Sequence, residues 1–205
     1  MNTYPPEYDD LLAHLLSFTP MPTEFRSLLF PELKGPFDYT EHSPVLKPDE
    51  TAQTAYWPIS GYLRRYTTYK PEADREYEEE KTTDISVPGK IYLPSHSFMN
   101  QVPVDFSLET RKGSRMITFS YDSFITMAEK MPEVYQLANL ILGDAEQHWL
   151  KKIEICKVNS KEAYEGFKKF FSDPVGKGFL LQKQVASYIG ISEEELSRII
   201  NGHRS

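Results

Sequence analysis

QKQVASYIGISEEELSRIIN, Gln182 to Asn201, is the stretch from which the rest of the chain can be ordered. Val185, Ala186 and Ile189 share one face of a first helix. Ala186 is small where a second helix would cross closely. Gly190 can take positive φ and end the first helix. Ser192 can cap the next, with Glu195 three residues on completing a capping box. Leu196 and Ile199 then point back to the core. Glu193, Glu194, Ser197, Arg198 and Asn201 are left on the outer face, the one a recognition helix lays in a major groove. These parts predict a helix-turn-helix. The alternative is an ordinary helical hairpin closing a helical domain.

The segment KQVASYIGISEEELSRI resembles the carboxy-terminal helix-turn-helix of the Crp/Fnr family of bacterial transcription regulators. The match is best over Ile189-Gly190-Ile191-Ser192 and Leu196-Ser197-Arg198. The resemblance implies an α+β chain: an amino-terminal cyclic-nucleotide-binding-type β-barrel (a double-stranded β-helix or jelly roll) with flanking helices, then a long dimerisation helix, then the helix-turn-helix. On this chain the divisions fall at 1–131 for the sensor domain, 132–156 for the dimerisation helix and 157–205 for the DNA-binding domain.

Composition agrees with a folded protein in a reducing compartment. The chain has 205 residues, 40% hydrophobic and 13% aromatic, enough for a real core in one large or two small domains. No run of 18 apolar residues predicts a transmembrane helix. MNTYPPEYDD, acidic and Pro-rich, does not read as a signal peptide. The single cysteine, Cys156, excludes an intramolecular disulfide and fits the cytoplasm. No Cys/His spacing suggests zinc, an iron–sulfur cluster or haem. The net charge of −7 divides unevenly: residues 1–150 carry 13 basic and 23 acidic side chains, and 151–205 carry 10 and 7. A mildly basic tail on an acidic body suits a DNA reader with a separate sensor.

Upstream, Tyr8 to Phe18 reads as a short helix with Leu11, Leu12, Leu15 and Leu16 on one side. A second helix carries Phe25, Leu28, Leu29 and Leu33 and ends at Gly35-Pro36. From Phe37 to Thr118, Pro and Gly punctuate short runs rich in Tyr, Thr, Val and Ile, predicting many short strands in a barrel or sandwich. Within AYWPISGYLRRYTTY (Ala55 to Tyr69), Tyr62, Tyr66 and Thr68 alternate with Leu63 and Arg65 after a Gly turn. Ile59-Ser60-Gly61-Tyr62-Leu63-Arg64 resembles the family's strand–turn–strand at this place. The acidic run Glu76 to Glu80 reads as a solvated strand edge or loop.

In cyclic-nucleotide receptors of this type a phosphate-binding cassette opens on Gly-Glu and closes about ten residues later on Pro-Arg. Backbone N–H groups of a short helix hold the phosphate, the Arg neutralises it, and the Glu takes the ribose hydroxyl. Here Pro103-Val104 puts Val104 where the Arg belongs, Leu93-Pro94 stands for Gly-Glu, and Asp105 adds a negative charge. A cyclic nucleotide is therefore not the expected effector, and no other cofactor is named by the sequence. Tyr92, Ser95, His96, Ser97, Phe98, Asn100, Val104 and Ser107 are the candidate lining of a pocket for some other small molecule. The alternative is a filled, vestigial pocket.

Arg115 to Phe119 reads as a last strand, and Asp122 or Ser123 can cap the helix that follows. From Pro132 to Cys156, Ala138, Leu142, Ala145, Trp149, Ile153 and Cys156 form a near-heptad stripe. A second stripe, Val134, Leu137 and Ile141, can pack on the barrel. In the family this helix pairs with its twin. Ser160 can cap a helix to Phe171 that buries Ala163, Tyr164, Phe167, Phe170 and Phe171, and a Pro/Gly loop covers Asp173 to Gly178. The few residues after Asn201 leave no room for a wing.

The function implied is a homodimeric bacterial regulator binding double-stranded DNA, with RNA polymerase as a possible further partner and an effector the sequence does not name. By resemblance Glu194 accepts from a cytosine amino group and Arg198 contacts a guanine or phosphate. Lys183, Gln184 and Ser197 position on phosphates, and Ser192, Glu193 and Asn201 complete the DNA side. The three acids Glu193 to Glu195 face a polyanion unfavourably, with His203 and Arg204 in partial compensation. A sensor or interaction module whose helix-turn-helix no longer binds DNA is the second reading, and a cAMP-binding regulator the third. An enzyme is not expected: His14, His42, His96, His148 and His203 are scattered, and no catalytic constellation stands out.

Overall fold

The structure, a computed structural model, describes residues 4–70, 78–172, 175 and 177–202. Glu76 of the acidic run, part of the loop from 173 to 178, His203 and Arg204 lie outside the described residues.

Two helices open the fold, α1 (Glu7–Leu16) and α2 (Phe25–Leu29), and a 3-10 turn, Phe30–Glu32, follows the second. The second helix is shorter than its apolar spacing predicts. Leu33 is already extended, and β1 (Leu33–Asp38) runs through Gly35-Pro36. β1 is an edge strand whose register shifts between Lys34 and Phe37, a place where a Pro without an N–H is tolerated.

Then come β2 (Ser43–Leu46), β3 (Thr54–Ser60), β4 (Leu63–Tyr69), β5 (Glu79–Ile85), the short helix α3 (Ser95–Asn100), β6 (Ser107–Thr110) and β7 (Arg115–Ser120). They pair antiparallel in two sheets, β1-β7-β3 and β2-β6-β4-β5. Trp57, Met116 and Ile117 from one sheet and Leu46, Leu63 and Leu108 from the other share a core with α1 and α2. Glu79 and Glu80 lie on β5 at the sheet edge, as the acidic run suggested.

α4 (Tyr121–Lys130) is capped by Ser120, two or three residues earlier than expected, whose Oγ accepts from the Ser123 N–H at 3.1 Å. α5 (Glu133–Cys156) follows Pro132 and is unbroken for 24 residues. Val134 and Leu137 are buried against the sheet core with Ile141 half-buried beside them, so the second apolar stripe packs on the strands of its own chain. Tyr135, Trp149 and Leu150 stay exposed.

α6 (Ser160–Phe171), capped by the Asn159 side chain rather than Ser160, α7 (Gln182–Ile189) and α8 (Glu193–Gly202) gather a second core. Phe167, Phe171, Val185, Ala186, Ile189 and Leu196 meet there, joined by Tyr62, just before β4, and Ile85 at the end of β5. The helical part is thus seated on the four-stranded sheet. The Tyr62 hydroxyl donates to the Phe171 carbonyl, and the Ser187 Oγ accepts from the Thr82 N–H at 3.0 Å.

Two glycines at positive φ separate conformation from crowding. A Cβ on Gly61 (φ +75°) would lie 2.6 Å from the Ser114 Cα, whereas Gly190 (φ +79°) faces open space. Gly190→Ala should cost about 1–2 kcal/mol for the left-handed backbone. Gly61→Ala should add about 1–3 kcal/mol of overpacking to that. Urea unfolding of the two variants measures the difference, and equal losses would contradict the crowding at Ser114.

Candidate nucleic-acid interface and ligand cleft

The turn between α7 and α8 has the local chemistry the sequence called for. Gly190 is left-handed, its N–H bonded to the Ala186 carbonyl, and Ser192 Oγ accepts from the Glu195 N–H at 3.1 Å. Glu194 lies exposed in the first turn of α8. Its pKa is lowered by its own backbone N–H first, then by the Ser192 hydroxyl, with Arg198 one turn away as a weaker influence. Leu196 is fully buried and Ile199 half-buried, leaving Glu193, Glu194, Arg198 and Asn201 exposed. Asn201 Nδ2 donates to Ser197 Oγ at 3.4 Å.

Lys183 is exposed at the start of α7, but Gln184 beside it is buried. Gln184 Oε1 accepts from the Leu181 N–H at 2.9 Å, and its Nε2 reaches Glu109 Oε1 at 3.5 Å. The amide expected at a phosphate is committed inside the protein. Beneath it Arg64, 1% exposed, bonds Glu109 through Nε at 2.7 Å and Glu80 through a terminal nitrogen at 2.5 Å. His42 Nε2 closes on the other Glu109 oxygen at 3.1 Å. Lys183, Ser192, Glu193 and Glu194 border a gap of about 920 Å³ opposite Tyr69, Glu79 and Glu80 of the β4–β5 pair. The start of α8 therefore faces the acidic end of β5.

The expected effector residues divide in two. Tyr92, Ser95, His96, Ser97, Asn100 and Val104 border an open cleft of about 1000 Å³ between α3 and α5, whereas Phe98 and Ser107 do not. Phe98 packs in the sheet core against Tyr121 and Phe124. Ser97 is largely buried, its Oγ taken by the Ala52 N–H and the Val102 carbonyl, and Val104 is a core residue at the cleft floor. The α5 wall is Ile141, Leu142, Ala145, Glu146 and Trp149.

Asp84 sits on the β5 wall, where its Oδ1 takes the Lys152 Nζ at 2.7 Å and the Ile85 N–H at 2.8 Å. The Tyr92 hydroxyl is held well above its usual pKa, mainly by burial and then by Asp84. Arg65 lies beside it with its Cζ 3.9 Å over the Phe106 ring. By cassette spacing the missing cation falls at Val104, and nothing in the local sequence singles out Arg65. Among the described residues no three His, Cys, Asp or Glu side chains are grouped to hold a metal ion, and no helix is long and apolar enough to cross a membrane.

No family model and no curated protein matches the sequence. Solved structures match in shape. FixK2 from Bradyrhizobium japonicum is 17% identical, with 82% of this chain and 83% of that chain covered and a TM-score of 0.54. The c-di-GMP-responsive global regulator CLP of Xanthomonas campestris is also 17% identical, with 81% and 84% covered and a TM-score of 0.53. A cyclic nucleotide-binding domain-containing protein from Listeria monocytogenes is 13% identical, with 95% and 88% covered and a TM-score of 0.57. At such identities the match is one of fold: over most of its length this chain is folded as these proteins are.

Proposed function

We propose that the chain is a homodimeric transcription regulator of Crp/Fnr type that binds double-stranded DNA through α7 and α8. The observation that carries this reading is the α7–Gly190–α8 geometry, a capped turn with Leu196 inside and Arg198 and Asn201 outside. The shared fold with a global regulator of gene expression supports it. Residues 1–131 form the sensor in this reading, α5 the dimerisation element and residues 157–205 the DNA-binding part. The protein works in the cytoplasm of a bacterium, without catalytic activity, with RNA polymerase as a further partner.

Arg198 contacts a guanine edge or a phosphate, and Lys183, Ser197 and Asn201 position on the backbone. Gln184 acts through the fold instead. Its position beneath Lys183 ties α7 to Glu109, so moving the recognition helix off the acidic β5 strand requires that tie to break. The effector cleft between α3 and α5 controls that movement. The bond from Lys152 on α5 to Asp84 on β5 gives a physical route from cleft to helix-turn-helix.

Selection of bound sequences from a pool of random duplexes tests the reading. A palindromic site should emerge, with affinity that falls steeply as salt rises. Arg198→Ala should weaken binding by about 1–3 kcal/mol and relax the preference at one base pair of each half-site. The acidic start of α8 favours a second reading, an interaction module that no longer binds DNA. A folded dimer that enriches no sequence, with or without effector, would establish that one instead.

A further inference from the structure

Arg65 stacks on Phe106 and has no ion-pair partner among the described residues. It stands on β4 directly across from Asp84 on β5. Asp84 is already taken by Lys152 and the Ile85 N–H. Among the described residues no carboxylate comes within 4.0 Å of the Arg65 guanidinium. Its Nε is buried and has no hydrogen-bond partner. Its stem and plane are fixed by Phe106, itself 7% exposed. Buried donors are almost always satisfied. The Arg65 side chain borders a cleft of about 1000 Å³, within the size range of small-molecule sites.

The surroundings of Arg65 narrow the ligand. Asp49, Asp105 and Glu146 stand exposed at the cleft's edge and repel a highly charged anion such as a polyphosphate. Leu142 and Trp149 offer a flat apolar wall on α5. A planar guanidinium held on edge accepts a carboxylate in the bidentate manner. We infer that the cleft takes a small organic monocarboxylate with a flat apolar body, its carboxylate on Arg65 and its body against Leu142 and Trp149. This rests on the reading of the cleft as the effector site, and it places the ligand's charge on β4 rather than after α3, where Val104 leaves none.

Calorimetric titration of the full chain with phenylacetate and with its neutral amide, phenylacetamide, tests the inference, with inorganic phosphate as a third probe. Phenylacetate should bind about tenfold tighter than the amide, as a charge-assisted pair requires. It should change the emission of the exposed Trp149 and outbind phosphate. Arg65→Met, which keeps an apolar stem on Phe106, should erase the preference.

Equal binding of acid and amide to the unmodified chain, including no binding of either, would overturn the inference and leave water as the guanidinium's partner. So would a preference that survives in Arg65→Met. If that variant fails to fold, the acid–amide comparison decides together with Trp149 emission. A carboxylate preference without an emission change that Trp149→Phe abolishes would place the anion elsewhere and also overturn it. None of these readings involves DNA, so failure here leaves the duplex selection standing, and failure there leaves the carboxylate comparison intact.

Discussion

Arg64→Met should destabilise the protein by about 3–5 kcal/mol, the scale for removing one partner of a buried ion pair. Arg64 and Glu109 are 1% and 2% exposed, and the 2.7 Å bond between them joins neighbouring strands β4 and β6. Without the guanidinium, Glu109 keeps only His42, which is half in solvent, and the long contact to Gln184. Neither replaces a full buried positive charge. Desolvation makes the orphaned carboxylate the origin of the loss, not the missing attraction. Arg64→Met combined with Glu109→Leu should therefore recover most of it, since a buried pair exchanged for apolar side chains is often neutral. Urea unfolding of the two variants separates the accounts: a double variant as unstable as Arg64→Met would show that packing around Arg64, not charge, holds this site.

The same residues show where sequence reading reached its limit. Gly190, Ser192 and Leu196 act within a few residues of one another, so their roles follow from spacing alone. The apolar face of α6 and the sheet-facing stripe Val134–Leu137–Ile141 were legible for the same reason. The strand-rich character of 37–118 could be read from Pro, Gly and β-branched punctuation. The sheet order β2-β6-β4-β5 could not, because it brings together residues some 45 apart in sequence, as with Arg64 and Glu109.

Gln184 shows how this matters for function. By position in the motif it belongs at a phosphate, yet a buried carboxylate from another strand draws its amide inward. A weak signal did exist for Arg64. Strand alternation places it on the face of Tyr62, which lies under the helix-turn-helix. Arg65 gave no comparable signal, since its importance depends on Phe106 arriving beneath it and on Asp84 being occupied by Lys152. Cassette spacing marks Val104, the position where a cation was lost, and says nothing of one supplied from β4.

Trp149→Ala should convert the protein from dimer to monomer over a wide concentration range, if α5 pairs with its twin as proposed. Trp149 is 53% exposed on a helix whose Val134–Leu137–Ile141 stripe, about a quarter turn around from it, is packed against the sheet core. It continues the stripe of Leu142, Ala145 and Ile153, with Leu150 and Tyr135 exposed alongside. Large exposed aromatics of this kind supply the strongest anchors of protein interfaces, each costing about 2 kcal/mol or more when truncated. A two-fold interface repeats every contact, so one substitution is felt twice. The dimer dissociation constant should then rise by about a thousandfold, near 4 kcal/mol in all. Leu140→Ala is the control, because Leu140 is also exposed, at 39%, but lies two and a half turns from Trp149 and so on the other side of the helix. Sedimentation equilibrium should show Leu140→Ala dimeric and Trp149→Ala dissociated. A monomeric unmodified protein, or equal behaviour of the two variants, would remove α5 as the dimer seam. Because the same Trp149 borders the cleft near Arg65, a ligand that settles against it should also tighten the dimer, joining effector binding to the spacing of two recognition helices.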